Sequence, residues 1–330
     1  MKLLQLLIVL LCPLGLSATE SDLNLIPWGN FENIKINEIA QGGQKGIIIL
    51  DKKGRNQSSC VFLPNEKSLV CALKQIEIKP LTKYRLSFWG KIDDQEFYLK
   101  DIAPNQIVWK DTQELPTWSY LFYNLSLKWI NVGAQPSFDQ KIISNDWMLY
   151  QSIFYTPKDA NLMKISFSNG KNPLPLLVDD ISLEELKNDA VININPDFSL
   201  GPYNYSGYKF MKNAWIKEKE GEPGKYELDA TEGFVIGDAI PLSPGKYSLE
   251  IAGRKGDNKK AVTTFFIDYH SFDTEKEKSD MKKPSFFRFD DKKMQTQTYD
   301  FVISPGIDFI CMRFAWGIFD SVKIKKTQDR

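Results

Sequence analysis

Two distant stretches of the chain share one pattern of alternating apolar and polar residues. They cover residues 75–91 and 240–255, and each reads as a short strand, a Pro-containing turn and a longer strand. The alternating apolar positions are Tyr84, Leu86 and Phe88 in the first stretch and Tyr247, Leu249 and Ile251 in the second. This period of two predicts half-buried antiparallel strands. Because the pattern occurs twice, the sequence predicts two β-sandwich domains in tandem.

The flanking residues repeat as well. Each copy opens with Asn, a turn residue and Phe, and each closes with an Asp-containing strand, over residues 176–184 in the first copy and 317–324 in the second. In that closing strand Asp179 corresponds to Asp320, and Ile181 corresponds to Val322. A short polar linker lies at residues 186–189. We therefore predict a first domain over 19–187 and a second, divergent domain over 190–330.

Further strands follow from the same alternation. Residues 121–129 alternate so regularly that they predict one long strand, with Trp129 on its apolar, core-facing side. The charged residues 274–293 predict a solvated loop. Helical periodicity is almost absent, and many short strands separated by turn residues favour a sandwich or a jelly roll.

Length and charge limit the possible functions. A chain of 330 residues is long enough for two domains with separate cores. The formal net charge is zero, so charge alone implies no polyanionic partner and we expect no nucleic-acid binding. Aromatic residues make up 13% of the chain, which fits both strand cores and binding surfaces and decides between neither.

Residues 1–18 have the pattern of a secretory signal peptide. Lys2 is followed by the apolar run 3–11, and cleavage is predicted after Ala18. The run is too short to span a bilayer, and no later segment is apolar enough to be a transmembrane segment. The sequence therefore predicts export, to a secreted, periplasmic or cell-surface location.

Three cysteines follow the predicted signal peptide. A hairpin centred between residues 65 and 66 would place Cys60 directly opposite Cys71, within reach of a disulfide bond. Export makes that oxidation plausible. The alternative is two buried free thiols. Cys311 lies in an apolar run and is predicted to be a core residue.

Four features occur in an order typical of one family. They are Asn30-Phe31-Glu32, the stretch 75–91, Trp147 with Tyr150, and the closing strand 178–183. In these the chain resembles the carbohydrate-binding modules of the CenC type (families 4 and 9), within the galactose-binding-like jelly rolls. The resemblance covers nearly the whole first copy and is weaker in the second. It implies an all-β fold of two tandem jelly-roll β-sandwich domains and a carbohydrate (poly- or oligosaccharide) as partner.

The resemblance also implies a structural calcium ion in the first domain. Glu32 and Asp179 occupy the matching positions, and carboxylates suit this hard cation. The alternative is that Asp179 only begins a strand while Glu32 is solvated. In the second copy Ser199 stands where Glu32 would be, so no ion is expected there.

A sugar site needs exposed aromatic rings, because flat rings stack on the apolar faces of pyranoses. Trp109 and Trp118 flank the polar turn 110–117, and Trp89 lies on the strand face opposite Phe88. We predict these three tryptophans as the carbohydrate-binding residues; the alternative for each is packing beneath a loop. Trp147 is predicted to be core. In the second copy, the tyrosines at 203, 205 and 208 either bind sugar or pack against the first domain.

Signals for catalysis are weak. His270 is the only histidine, no Gly-x-Ser-x-Gly motif occurs, and no His/Cys cluster has zinc-ligand spacing. The sequence therefore predicts an exported, non-catalytic carbohydrate-binding protein. The alternative is a structural or protein-interaction module of the cell surface without a sugar site, and an unrecognised hydrolase is the least favoured reading.

Overall fold

The structure is a computed structural model. It describes residues 24–40, 46–64, 70–93, 115–130, 140–142, 144–169, 174–187, 191–202, 204, 206–258, 261–271 and 285–329. The predicted signal peptide, Trp109, Tyr203 and Tyr205 lie outside the described residues. The predicted domain boundary also falls on such a gap, at 188–190, and it stays a prediction.

Ten strands lie in the described residues of the first half. Their bounds are β1 Ile48–Leu50, β2 Cys60–Leu63, β3 Val70–Ala72, β4 Ile76–Glu77, β5 Lys83–Ile92, β6 Thr117–Tyr123, β7 Gln140–Lys141, β8 Met148–Tyr155, β9 Leu162–Ser168 and β10 Leu176–Glu185. A short helix α1 spans Ile36–Ile39, and a 3-10 turn spans Arg55–Gln57.

The second half contains eleven strands in its described residues. Their bounds are β11 Tyr208–Lys212, β12 Trp215–Lys219, β13 Glu222–Asp229, β14 Phe234–Gly237, β15 Ile240–Pro241, β16 Gly245–Lys255, β17 Thr263–His270, β18 Ser285–Phe289, β19 Gln295–Ile303, β20 Phe309–Ala315 and β21 Gly317–Asp329. No helix in the described part of the chain is long and apolar enough to cross a bilayer.

The strands form four sheets, two in each half. Sheet I has the order β1-β2-β10-β5-β8, and sheet II has the order β3-β9-β6-β7 with β4 also paired to β9. Sheet III has the order β12-β13-β21-β16-β19, and sheet IV has the order β11-β14-β20-β17-β18 with β15 also paired to β20. Sheets I and III therefore repeat one strand order, and most of sheet IV repeats sheet II. The predicted all-β sandwich fold and its internal repeat are confirmed.

Each half has its own apolar core. The inward side chains of β5, which are Tyr84, Leu86 and Phe88, belong to the first core and are fully buried. The equivalent residues of β16 belong to the second core. The alternation that predicted these strands thus arises because one face of each sheet lies against the interior, whereas the other face lies outside.

One asparagine in each half joins the opening segment to the closing strand. The Asn24 side chain accepts a hydrogen bond from the Leu183 N–H (3.0 Å) and donates to the Ile181 carbonyl (3.3 Å). Asn193 accepts from the Ile324 N–H and donates to the Val322 carbonyl, both at 2.8 Å. The predicted correspondence of Ile181 with Val322 therefore holds at the level of single hydrogen bonds.

The predicted disulfide bond between Cys60 and Cys71 is wrong. Cys60 lies on β2 in sheet I, whereas Cys71 lies on β3 in sheet II, so the intervening chain crosses between sheets and does not form a hairpin. Both are buried free thiols, and burial raises the pKa of each to about 12. Cys311 is also a buried free thiol, as its apolar surroundings predicted.

The predictions for Trp118 and Trp129 are also wrong. Trp118 points inward from β6 and is 1% exposed, with its ring 5.0 Å from that of Phe88. The predicted strand 121–129 ends at Tyr123, because the Asn124 side chain accepts hydrogen bonds from two backbone N–H groups of the following turn. Trp129 is consequently 49% exposed instead of core. The predicted loop 274–293 is wrong at β18, and its residues 274–284 lie outside the described residues.

Candidate functional site

The outer face of sheet I carries a partly exposed tryptophan at its centre. Along β5, Arg85, Ser87, Trp89 and Lys91 alternate with the buried core residues, so their side chains lie on the outer face. Trp89 pairs with Leu149 of β8, which is 41% exposed. Directly opposed residues of antiparallel strands share a face, so the indole and this leucine lie side by side.

A second indole lies on the same face. The Lys91 ammonium lies 5.5 Å from the ring centroid of Trp147, which precedes β8 and is only half-buried. The prediction that Trp147 is a core residue is therefore wrong. Ser87 pairs with Gln151 on the same face. The surface thus combines two aromatic rings with hydroxyl, amide and ammonium groups, all on the strands β5 and β8 and their flanks.

Arg55 holds the first of these rings. Its guanidinium carbon lies 3.6 Å from the centroid of the Trp89 ring. Such a cation–π contact contributes about 1 kcal/mol and fixes the plane of the indole. Arg55 belongs to the 3-10 turn between β1 and β2, which reaches over the sheet from its edge. The ring is therefore pre-oriented by a residue far from it in sequence.

The buried carboxylate of Asp179 positions this turn. It accepts hydrogen bonds from the Arg55 N–H (2.8 Å), the Ser58 hydroxyl (2.5 Å) and the Asp180 N–H (2.8 Å). Asp179 also pairs with Trp89 across β10 and β5. Burial raises the pKa of this carboxyl, against the opposing effect of its hydrogen bonds to Ser58 and Arg55. Asp179 is thus a positioning residue for the turn that supports the ring.

Glu32 contacts the same segment from the other end, because its side chain accepts a hydrogen bond from the Ser59 N–H at 2.7 Å. The two predicted calcium ligands are thus connected to one segment. Calcium takes about six to eight oxygen ligands, and of the three donors around Asp179 only the Ser58 hydroxyl offers an oxygen, so these groups alone do not make a calcium site. Within the described residues no group of three or more His, Cys, Asp and Glu side chains could hold a metal. The calcium ion stays a prediction from sequence alone.

The raised pKa of Asp179 predicts an unusual dependence of stability on pH. The native state takes up a proton at higher pH than the unfolded chain does, so the contribution of Asp179 to the free energy of unfolding is largest in acid and falls as the pH rises through the native pKa. Asp179→Asn does not titrate. We therefore expect the free energy lost in this variant to be larger at acidic than at neutral pH, in urea unfolding. A loss that grows towards neutral pH would contradict this assignment.

The same face of sheet III has a different chemistry. Strand register aligns the two sheets residue by residue. The corresponding pairs, with the first half given first, are Leu50 and Lys217, Cys60 and Glu227, Trp89 and Ala252, and Lys91 and Arg254. The central indole is therefore absent from the second half, and charged side chains replace apolar ones. Of these two equivalent faces, the first half's carries an indole at its centre, whereas the second half's has Trp215 on the edge strand β12.

The structure separates the predicted site residues. Trp89 lies on the exposed face, whereas Trp118 is buried in the first core and can contact no ligand there. Tyr208 is buried in the second core, where its hydroxyl donates to the Asn195 carbonyl. His270 ends β17, and its ring stacks on Phe309 at 4.9 Å. The sequence reading missed Arg55, whose contact with Trp89 depends on how a loop folds back.

Comparisons with known proteins give only distant similarities. No family model and no curated protein matches the chain. Among solved structures, "Family 16 Carbohydrate Binding Module-2" is 16% identical with a TM-score of 0.36, over 48% of this chain and 99% of that chain. The tandem CBM22-1-CBM22-2 domain of Paenibacillus barcinonensis Xyn10C is 11% identical with a TM-score of 0.33, over 87% and 92%.

A third similar structure is TmCBM61 in complex with β-1,4-galactotriose. It is 13% identical with a TM-score of 0.33, over 50% of this chain and 99% of that chain. At these identities and TM-scores the similarities carry no inference about what this chain binds.

Proposed function

We propose that this is an exported protein that binds carbohydrate on the outer face of sheet I. The observation that carries the proposal is the placement of two partly exposed indoles, Trp89 and Trp147, on one sheet face with hydrogen-bonding side chains beside them. Indole faces stack on the C–H faces of sugar rings, while Ser87, Gln151 and Lys91 supply partners for hydroxyl groups.

The chemistry of this face supports binding without catalysis. Asp179 is fully buried and engaged by three donors, and Glu184 pairs with Arg85 at 3.5 Å. Glycoside hydrolysis requires one carboxyl to donate a proton and another to attack or activate water. Carboxylates that are already committed to structural contacts are poorly placed for both tasks. Export rests on the pattern of residues 1–18.

Replacing Trp89 by alanine tests the proposal. A glycan array first selects the polysaccharide that the whole protein retains, and affinity electrophoresis then measures retardation by that polysaccharide. One stacked ring contributes about 1–1.5 kcal/mol to the binding free energy, and losing it lowers the affinity about tenfold. We therefore expect Trp89→Ala to abolish most of the retardation.

The control is Trp316→Ala, which removes an exposed tryptophan, 41% accessible, from the second half. It should leave the retardation unchanged, and near-ultraviolet circular dichroism should show both variants folded. Equal retardation of Trp89→Ala and the wild type would remove the face of sheet I as the site. A protein that no glycan retains would instead support the structural or protein-interaction role.

A further inference from the structure

A cavity of about 640 Å³ lies on the outer face of sheet III. Its lining is almost entirely charged and includes Lys217, Lys219, Glu227, Arg254, Met294 and Asp320. The volume is within the range of small-molecule sites, about 300–1,000 Å³. Such sites are mostly apolar, whereas Met294 is the one apolar residue of this lining. The occupant must therefore be strongly polar.

The cavity arises because two strands of the sheet diverge. Strand β13 pairs with β21 at Leu228–Phe319 and Asp229–Ile318, and the pairing stops there. The hairpin of β12 and β13 continues beyond this point, with Lys219 paired to Glu222. A cleft is left between the hairpin and the rest of the sheet, with Asp320 of β21 in its lining.

The first half fills the equivalent place with its own chain. Residues 51–59 connect β1 and β2 between the aligned positions Leu50 and Cys60, and residues 218–226, a segment of equal length, lie between Lys217 and Glu227. The first segment folds back and buries Asp179 completely. The second extends as a hairpin, and the aligned Asp320 keeps a side chain that is 31% exposed. In the described residues of the first half, the segment 51–59 thus occupies the place that this cavity has in the second half.

Seven of the nine charged residues in the lining form ion pairs with one another or with Asp229. Lys217 contacts Asp229 at 2.7 Å and Glu227 at 3.5 Å, and Arg254 contacts Glu227 at 3.5 Å. Lys219 pairs with Asp320, and Lys225 pairs with Glu222 at 2.6 Å.

An ionic ligand bound at Lys219, Asp320 or Arg254 would have to break one of these pairs. A neutral ligand rich in hydroxyls can donate to the carboxylates and accept from the ammonium and guanidinium groups while every pair stays intact.

We propose that this cavity is a second saccharide site, which takes a short neutral saccharide through hydrogen bonds to Lys219, Asp320 and Arg254. The proposal rests on the carbohydrate-binding function proposed above and adds a site of another kind. Recognition on sheet I depends on the stacking of indole rings on sugar rings. Recognition on sheet III depends on hydrogen bonds from the sugar hydroxyls to ion-paired charged side chains.

The test is titration calorimetry of the full chain with xylohexaose, cellohexaose, mannohexaose and hexagalacturonic acid. The pocket variant is Lys219→Met with Asp320→Leu, which removes a donor and an acceptor and keeps the net charge. The matched control is Lys323→Met with Glu250→Leu, an ion pair of 3.3 Å that joins β21 to β16 in the same sheet, outside the cavity. Thermal unfolding checks that every variant is folded.

We expect a neutral hexasaccharide to occupy two sites per wild-type or control chain. The pocket variant and Trp89→Ala should each keep one site and lose the other. If the pocket variant still binds at two sites, or if Trp89→Ala binds at none, the pocket is overturned as a saccharide site. The site on sheet I stays supported in both cases. If the wild type has a single site, and this site is lost in the pocket variant but kept in Trp89→Ala, the pocket is supported and the site on sheet I is overturned.

The remaining outcomes concern the class of ligand. The assignment of a neutral ligand is overturned if hexagalacturonic acid is the only hexasaccharide that gives a heat of binding and added salt weakens that binding. Salt has this effect because it screens only charged partners. If no hexasaccharide binds the pocket at millimolar concentration, the saccharide assignment is overturned whatever sheet I binds.

Discussion

Replacing Trp118 by alanine is expected to destabilise the first half by about 3–5 kcal/mol, the usual cost of deleting a large buried aromatic side chain. Trp118 is 1% exposed and lies edge-on against Phe88, with Tyr120 6.2 Å away. The close-packed core cannot collapse into so large a gap, so the lost contacts are not replaced. Urea unfolding followed by circular dichroism measures the loss.

Two further variants make this prediction specific. Trp89→Ala removes the same side chain from the outer face, where surface substitutions usually cost less than about 1 kcal/mol. Trp118→Phe keeps most of the apolar ring and removes an indole N–H that has no hydrogen-bond partner in the part of the chain that the structure describes. Because an unsatisfied buried donor is itself costly, Trp118→Phe should lose much less stability than Trp118→Ala.

The two tryptophan substitutions should therefore affect different properties of the protein. Trp118→Ala is expected to lower stability, and Trp89→Ala is expected to lower carbohydrate affinity. A Trp118→Ala variant as stable as Trp89→Ala, with weakened binding instead, would show that Trp118 is on the surface after all. Measuring both quantities on both variants separates a core role from a ligand contact.

The sequence predicted the central strands well because one set of alternate positions in them is apolar and the other is mostly polar. In β5, Leu86 and Phe88 belong to the apolar set, whereas Trp89 is the one apolar side chain in a set of otherwise polar residues, and this determines which face is buried. In β6 both sets are bulky, since Trp118, Tyr120 and Phe122 interleave with Leu121 and Tyr123. The outer set continued through Leu125 and Leu127, so the longer apparent stripe was assigned to the core, although those leucines are 77% and 60% exposed.

The candidate site could be predicted only in part. Trp89 follows from alternation along its own strand. The support of its ring by Arg55 depends on a contact between Arg55 and Asp179, two residues 124 positions apart, and no local pattern encodes such a contact. The same limit explains the cysteines. A turn that joins two strands of one sheet and a connection that crosses between two sheets have similar sequences. Only the strand pairing in the structure shows that Cys60 and Cys71 lie in different sheets.

The second large effect is expected at the asparagine that ties the opening segment to the closing strand. Asn193→Ala should lower the free energy of unfolding of the second half by about 3 kcal/mol, because it removes two hydrogen bonds and leaves buried backbone groups unsatisfied. Asn193 is 2% exposed, and its bonds to Ile324 and Val322 are both 2.8 Å long. Water has little access to replace them. Urea unfolding measures the loss.

The repeat itself provides the control, because Asn24 makes the equivalent bonds in the first half from an exposed position. Water can satisfy the groups that Asn24→Ala releases, so we expect a loss of only about 1 kcal/mol. Asn193→Asp keeps the acceptor for the Ile324 N–H and loses the donor to Val322, and should fall between the two. Equal losses in Asn24→Ala and Asn193→Ala would show that burial does not distinguish these residues. The predicted difference arises because the two halves share a hydrogen-bonding arrangement but differ in how far water can reach it.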